Sequence, residues 1–183
     1  MKTLATIAML ALTSGAAQAA VIDFTGTTQG SVAGPVTIPG ATITADAGDS
    51  IIIGTSAAGE SDGFCFRPSN IFRCTGSGIL EFASAVTGLT FDIDGASSGD
   101  NVSITAFNDL TALSTLNFTT NGLVDFSGFS SITSLQFTDN ASTASGVGYS
   151  TFTYELAAVP LPAGGLLLIG ALGALGMTRR RKT

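Results

Sequence analysis

Histidine and tryptophan are absent from this 183-residue sequence, and lysine occurs only at Lys2 and Lys182, close to the two ends. The lack of imidazole excludes Ser-His-Asp triads, Cys-His dyads and histidine-based metal sites. The lack of lysine between the ends excludes Schiff-base and Ser–Lys chemistry there. Paired carboxylates remain for catalysis, as in glycosidases, but the aromatic side chains that usually line a glycosidase cleft are scarce. We therefore expect that the protein is not an enzyme, with a carboxylate glycosidase as the remaining catalytic alternative.

Positive charge is scarce in the middle of the chain. All thirteen acidic residues lie between residues 20 and 158, whereas Arg67 and Arg73 are the only basic residues there. Thirteen negative and two positive side chains give this region a formal charge of −11, which the whole-chain value of −6 conceals. Nucleic-acid binding requires clustered cations, so we expect no nucleic-acid partner. An acidic surface favours solubility outside the cell.

The N-terminus has the three parts of a secretory signal peptide. Lys2 supplies the positive charge, residues 4–12 form a short apolar run, and Ala17 and Ala19 give the Ala-x-Ala cleavage pattern. The run is shorter than the about 20 residues that a membrane-spanning helix needs. The sequence therefore predicts a signal peptide over residues 1–19, cleaved after Ala19, that directs the chain to the secretory translocon.

The C-terminal end predicts a transmembrane helix followed by a basic stop-transfer segment. Residues 159–178 are uncharged, and as a helix they are about 30 Å long, which matches the hydrocarbon core of a bilayer. The four cations that follow are Arg179, Arg180, Arg181 and Lys182. Because cytoplasmic flanks carry the excess of positive charge, the segment 20–158 is expected outside the inner membrane, as the signal peptide also predicts.

A proline-containing motif opens the apolar segment. It consists of Val159, Pro160, Leu161, Pro162 and Ala163. Proline keeps such a stretch extended and out of a helix. Together with the Gly/Leu/Ala-rich segment and the Arg-rich tail, the motif resembles the VPLPA variant of the PEP-CTERM sorting domain over residues 159–182. The resemblance implies recognition by an exosortase, a membrane-embedded cysteine protease of Gram-negative bacteria, and cleavage near the Pro-Leu-Pro-Ala sequence.

The same resemblance implies a location and a role. The precursor is expected to be anchored in the inner membrane through the segment 159–183. The mature protein is expected at the cell surface or in the extracellular matrix, after exchange of the tail for another linkage, in the way that a removable GPI tail is exchanged. A structural or adhesive role linked to exopolysaccharide follows from the family. The alternative is a plain tail anchor, in which the prolines only mark the start of the helix.

The two cysteines, Cys65 and Cys74, both lie in the segment that is predicted to be exported. An even number of cysteines in an oxidising compartment favours a disulfide. A metal site is the alternative, but two thiolates without histidine make a poor one.

Short bursts of β-branched and Phe residues alternate with Gly-, Ser-, Thr- and Asn-rich segments between residues 20 and 158. Alternation with a period of two predicts half-buried strands, here over residues 21–24, 36–38, 41–44, 50–53, 78–82, 89–94, 101–106, 133–137 and 151–156. The expected fold is therefore all-β, an antiparallel β-sandwich or jelly-roll-like domain over residues 20–158. The expected core includes Phe24, Phe82, Phe91, Phe118, Phe126, Phe137 and Phe152.

Several acidic residues fall at predicted turns. Asp92 and Asp94 precede a predicted hairpin turn, Asp100 follows it, and Asp139 opens another loop. Ca²⁺ binds roughly six to eight oxygen ligands of this kind, although Asp is also an ordinary turn residue. Calcium is therefore the only cofactor that the sequence suggests.

The segments 91–94, 102–107 and 132–139 also resemble the β-sandwich domains that are attached to this sorting tail, which are similar to jelly-roll modules that bind carbohydrate. Those domains usually begin their last strand with Asp-Asn, where this chain has Ser150 and Thr151. A calcium-dependent carbohydrate-binding module is thus the alternative to the structural or adhesive role.

Overall fold

Twelve strands and no helix occur in the part of the chain that the computed structural model describes, residues 19–54, 63–97, 99–140 and 146–157. All pairs between strands are antiparallel, and they join into one continuous sheet, which confirms the all-β antiparallel prediction. The strands are β1 (Ala19–Ile22), β2 (Gly30–Val32), β3 (Val36–Ile38), β4 (Ala41–Ala45), β5 (Asp49–Ile53), β6 (Gly63–Pro68), β7 (Gly78–Asp94), β8 (Val102–Asn108), β9 (Thr111–Phe118), β10 (Gly122–Phe126), β11 (Ile132–Asp139) and β12 (Gly148–Leu156).

The 17-residue strand β7 connects two halves of the sheet. Its first arm, residues 78–86, pairs with β4 and β11, and its second arm, residues 86–94, pairs with β10 and β12. Gly88 lies near the start of the second arm with a φ of +65°, a conformation that glycine adopts readily. The first half of the sheet therefore contains β3, β4, β8, β9 and β11, and the second half contains β1, β2, β5, β6, β10 and β12.

Aromatic rings from both halves meet in one core. Phe137 on β11, in the first half, lies 4.4 Å from Tyr149 on β12 and 5.9 Å from Phe64 on β6, between ring centroids. Phe91 and Phe152 stack at 4.4 Å. These rings come from strands of both halves, so both halves contribute to one aromatic core. Such ring pairs add about 0.5–1.5 kcal/mol each beyond the burial of their apolar area.

Four strands, β2, β6, β9 and β10, are absent from the sequence prediction. The first four residues of β6 are buried in succession, so no alternation is visible, and β9 is exposed or half-buried along its whole length. The segments 78–82 and 89–94, predicted as separate strands, are the two arms of β7. The other predicted strands are found within two residues of their expected bounds, except that β12 begins three residues earlier than expected.

Six of the seven phenylalanines expected in the core are buried. Phe118 is the exception, because it lies on the edge strand β9 and is only half-buried against the core. Phe64 and Phe66, which the prediction omits, are buried at its centre. Phe64 alone contacts five other rings: Phe24, Phe66, Phe137, Tyr149 and Phe152.

The first and last strands lie side by side. β1 pairs antiparallel with β12, and Ala19 lies opposite Glu155. After β12, the Ala157 N–H donates a hydrogen bond to the Ala85 carbonyl at 2.9 Å, which holds this end of the chain beside β7. The two ends of the described chain therefore leave the sheet at the same place.

We expect the variant Phe64→Ala to lose about 3–5 kcal/mol of unfolding free energy, because it leaves a cavity among five rings. Urea denaturation followed by circular dichroism measures the loss. The control is Phe72→Ala, at a phenylalanine that is 95 % exposed, which should change the unfolding free energy by less than about 0.5 kcal/mol. Equal effects of the two variants would contradict this assignment of the core.

Candidate functional site

A disulfide joins Cys65 on β6 to Cys74, with 5.5 Å between the two Cα atoms. The prediction of a disulfide is thereby confirmed. Both cysteines are buried, and together with Ile52 on β5 they form a small cluster separate from the main core. The disulfide loop, residues 65–74, therefore folds back and covers the face of β5 and β6 that points away from the main core.

Hydrogen bonds tie the disulfide to the two neighbouring connections. The Cys74 carbonyl accepts from the Val147 N–H at 3.1 Å. The Gly146 N–H donates to Asp100 Oδ1 at 3.1 Å, and Asp100 Oδ2 accepts from the Ser97 N–H and hydroxyl at 2.6 and 2.9 Å. The buried Asp100 carboxylate thus joins the connection after β7 to the one before β12.

Gly146 is required where these segments meet. Its φ is +87°, and a Cβ added there would collide with the backbone of Cys74. A side chain would therefore be strained by the backbone conformation and would separate the two segments.

The four carboxylates considered as calcium ligands do not form one group. Asp92 and Asp94 lie on the second arm of β7, Asp100 lies in the following connection, and Asp139 ends β11. Within residues 19–54, 63–97, 99–140 and 146–157, no three or more Asp, Glu or Cys side chains are arranged to hold a metal ion. Both oxygens of Asp100 already accept hydrogen bonds. Calcium binding stays a prediction from the sequence.

The hairpin that was expected to hold these carboxylates is not formed. β7 pairs with β10 and β12 at its second arm, whereas β8 pairs with β9 and β11. Because both edges of that arm are already occupied, the connection from Asp94 to Val102 crosses from one half of the sheet to the other. Asp100 therefore does not lie across a two-stranded turn from Asp92 and Asp94.

Tyr149 connects two of the predicted ligands. Its side chain is fully buried beneath the loops, and burial raises the pKa of the phenol above its usual range. The negative charges of Asp139 and Asp100 raise the pKa further. Of the four predicted ligands, Asp139 and Asp100 therefore lie near enough to Tyr149 for their charges to act on its phenol.

An acidic groove of about 650 Å³ lies on the outer face of the first half of the sheet. Glu81 on β7 and Asp109 at the β8–β9 turn provide its carboxylates, and the exposed Ala83 and Leu110 provide apolar surface. The Asp109 N–H donates to Thr133 Oγ1 at 2.6 Å. This bond holds the turn over the sheet, where the groove continues toward Ile79, Phe107 and Gln136.

A basic, apolar tip occupies the disulfide loop. The Arg67 guanidinium lies 5.4 Å from the centroid of the Phe72 ring and donates to Ser31 Oγ at 3.0 Å. Arg73 is exposed beside them. The Phe72 ring itself is 95 % exposed. The sequence contained the signal for this site, since both arginines of the segment 20–158 flank Phe72, but it gave no signal for the groove.

The predicted sorting and processing residues fall largely outside the described residues. This applies to Ala17, to the motif from Val159 to Ala163 and to the basic residues from Arg179 to Lys182, whereas Ala19 is the first residue of β1. Where the structure is described, none of the chain forms a helix of the length and apolar character that a membrane crossing requires.

Comparison with known proteins found no similarity: no protein-family model, curated protein or solved structure matches the chain. Function is therefore inferred from the residues of this chain and their arrangement.

We expect the variant C65A/C74A to lose about 2–3 kcal/mol of unfolding free energy, because it removes a short covalent loop that restricts the unfolded chain. Urea denaturation measures the loss. Wild-type protein treated with reductant serves as a control and should lose a similar amount. An unchanged denaturation midpoint in both would contradict a stabilising disulfide.

Alkaline pH should destabilise the fold through its two tyrosines. Burial raises the pKa of Tyr149 and Tyr154 in the folded chain. Above about pH 10 the unfolded chain therefore binds fewer protons than the folded chain, and the unfolding free energy falls as pH rises. We expect ultraviolet absorbance to show tyrosinate only when the protein unfolds. The variant Tyr149→Phe should make the fall of the unfolding free energy with pH less steep. Ionisation of Tyr149 near pH 10 in the folded protein would contradict this expectation.

Proposed function

We propose that this chain is an exported protein of the cell surface or extracellular matrix, sorted and processed by an exosortase. One observation carries the proposal: the Val159–Ala163 motif, the apolar segment and the cations from Arg179 to Lys182 follow one another at the spacing of a sorting signal. A signal peptide at the other end of the chain predicts the same topology. The Cys65–Cys74 disulfide supports an oxidising destination.

The pairing of the terminal strands supports processing at both ends. Cleavage after Ala19 would leave Ala20–Ile22 paired with β12, and the sorting motif begins only three residues after β12 ends at Leu156. Neither cut would remove a core side chain from the strands. The folded domain would therefore survive both cleavages, as an exported protein requires.

We also propose that the domain is a β-sandwich of jelly-roll type. Support comes from the two sheet halves, which share β7 and enclose the rings of Phe64, Phe137 and Tyr149 between them. A closed, disulfide-linked, acidic sandwich suits a structural or adhesive role outside the cell. The association with exopolysaccharide is part of the family resemblance and is proposed on that basis.

The processing proposal is tested with the full chain in a Gram-negative host, with and without a co-expressed exosortase. We expect wild-type protein to leave the inner membrane only with the enzyme, and mass spectrometry to show a mature C-terminus that lacks Arg179–Thr183. The variant P160A/P162A should accumulate in the inner membrane with its tail intact, because the extended cleavage site is lost.

The matched control is Pro35→Ala, at an exposed proline between β2 and β3, which should be processed like wild type. Recovery of Arg179–Thr183 on wild-type protein at its final location would overturn the proposal in favour of a plain tail anchor.

A further inference from the structure

The tip of the disulfide loop is exposed in a way that points to a binding partner. Phe72 is 95 % and Ile71 39 % exposed, between the two arginines of the domain. Exposed apolar area is unfavourable by about 25 cal/mol per Å², and aromatic residues with arginine are enriched where proteins bind one another. Because the disulfide already restricts the loop, binding would cost little conformational entropy.

The acidic groove has the complementary properties. Glu81 and Asp109 are exposed on its walls, and Ala83 and Leu110 offer apolar surface. Its volume of about 650 Å³ exceeds the about 150 Å³ that holds one benzene ring. The groove therefore has room for one phenylalanine ring, and its carboxylates complement two guanidinium groups beside that ring.

The groove and the loop tip lie at opposite ends of the strands. Phe137, near the end of β11, contacts Phe66 beside the disulfide loop at 5.8 Å. Thr133, at the start of β11, holds the turn that covers the groove. Four residues of strand separate them, about 13 Å, and the two sites belong to different halves of the sheet. The loop tip therefore cannot reach the groove of its own chain.

We propose that the protein assembles head to tail, with the Phe72 tip of one copy seated in the acidic groove of a second copy. Arg67 and Arg73 would pair with Glu81 and Asp109 of that copy, and the Phe72 ring would pack against Ala83 and Leu110. Such a contact joins two different surfaces, so each copy keeps one free tip and one free groove. Repetition produces a filament or a closed ring.

A second copy fits the loop tip better than an anionic polymer or lipid does. The domain has a charge of −11, which opposes a second copy as well as any other anionic partner at long range, and screening limits this repulsion to about 8 Å at physiological ionic strength, so the partner is decided by contacts at short range. A polymer or lipid headgroup offers only charge at short range. The groove offers two carboxylates and an apolar recess for the ring. The inference does not depend on processing by an exosortase.

The test uses charge reversal in the full chain, purified from the cell fraction that contains it. Sedimentation velocity should show concentration-dependent assembly of wild type, weakened by salt. The variants R67E/R73E and E81R/D109R should each associate at least about tenfold more weakly, because like charges then meet at the contact. An equimolar mixture of the two variants should assemble again, since each tip then meets a groove of opposite charge.

The mixture also distinguishes loss of the contact from loss of folding, because two misfolded variants would not assemble when they are mixed. The control D23R/D125R changes the net charge as much as E81R/D109R does, at exposed acids outside the groove, and should assemble like wild type. Wild type that stays monomeric at all concentrations, or a mixture that stays monomeric, would overturn the proposal.

Cross-linking in cells locates the contact. A photoreactive phenylalanine analogue at position 72 should cross-link to a second copy, at residues 81–85 or 107–110 in the groove. Cross-links to lipid, to polysaccharide or to another face of the domain would overturn the head-to-tail arrangement.

Discussion

The packing of aromatic rings between the two halves of the sheet is the constraint on which the rest of the structure depends. Phe64 contacts five other rings from β6, β11, β12 and the segment after β1. β7 pairs with strands of both halves and so links the two sides of this core. β1 pairs with β12, so the first and last described strands lie side by side.

The loops beyond this core are held by a second set of interactions. The disulfide, the Gly146 contact with Cys74 and the Asp100 carboxylate join three connections at one end of the strands. This rigid base is what allows the disulfide loop to present Phe72 to solvent. A flexible loop would bury such a ring against the nearest apolar surface.

Charge and shape together suggest how copies of this acidic domain would join. The two arginines of the segment 20–158 lie at the tip of the disulfide loop, and a groove with two carboxylates lies in the other half of the sheet. Separation of opposite charges on opposite ends favours contacts between copies over contacts within one copy. A protein sorted to the cell surface and able to repeat this contact would have the structural role that the sorting tail suggests.

The sequence by itself determined the features that depend on neighbouring residues. Alternation marked β1, β3, β4, β5, β8, β11 and β12, and the even cysteine count in a segment predicted to be exported indicated the disulfide. Only the tertiary structure decided the rest. It decided that 78–94 is one strand with two arms, that Asp100 joins two connections without a hairpin between them, and that Glu81 and Asp109 share a groove. The reason is that these features depend on strand pairing between residues far apart in the chain, which local periodicity does not encode.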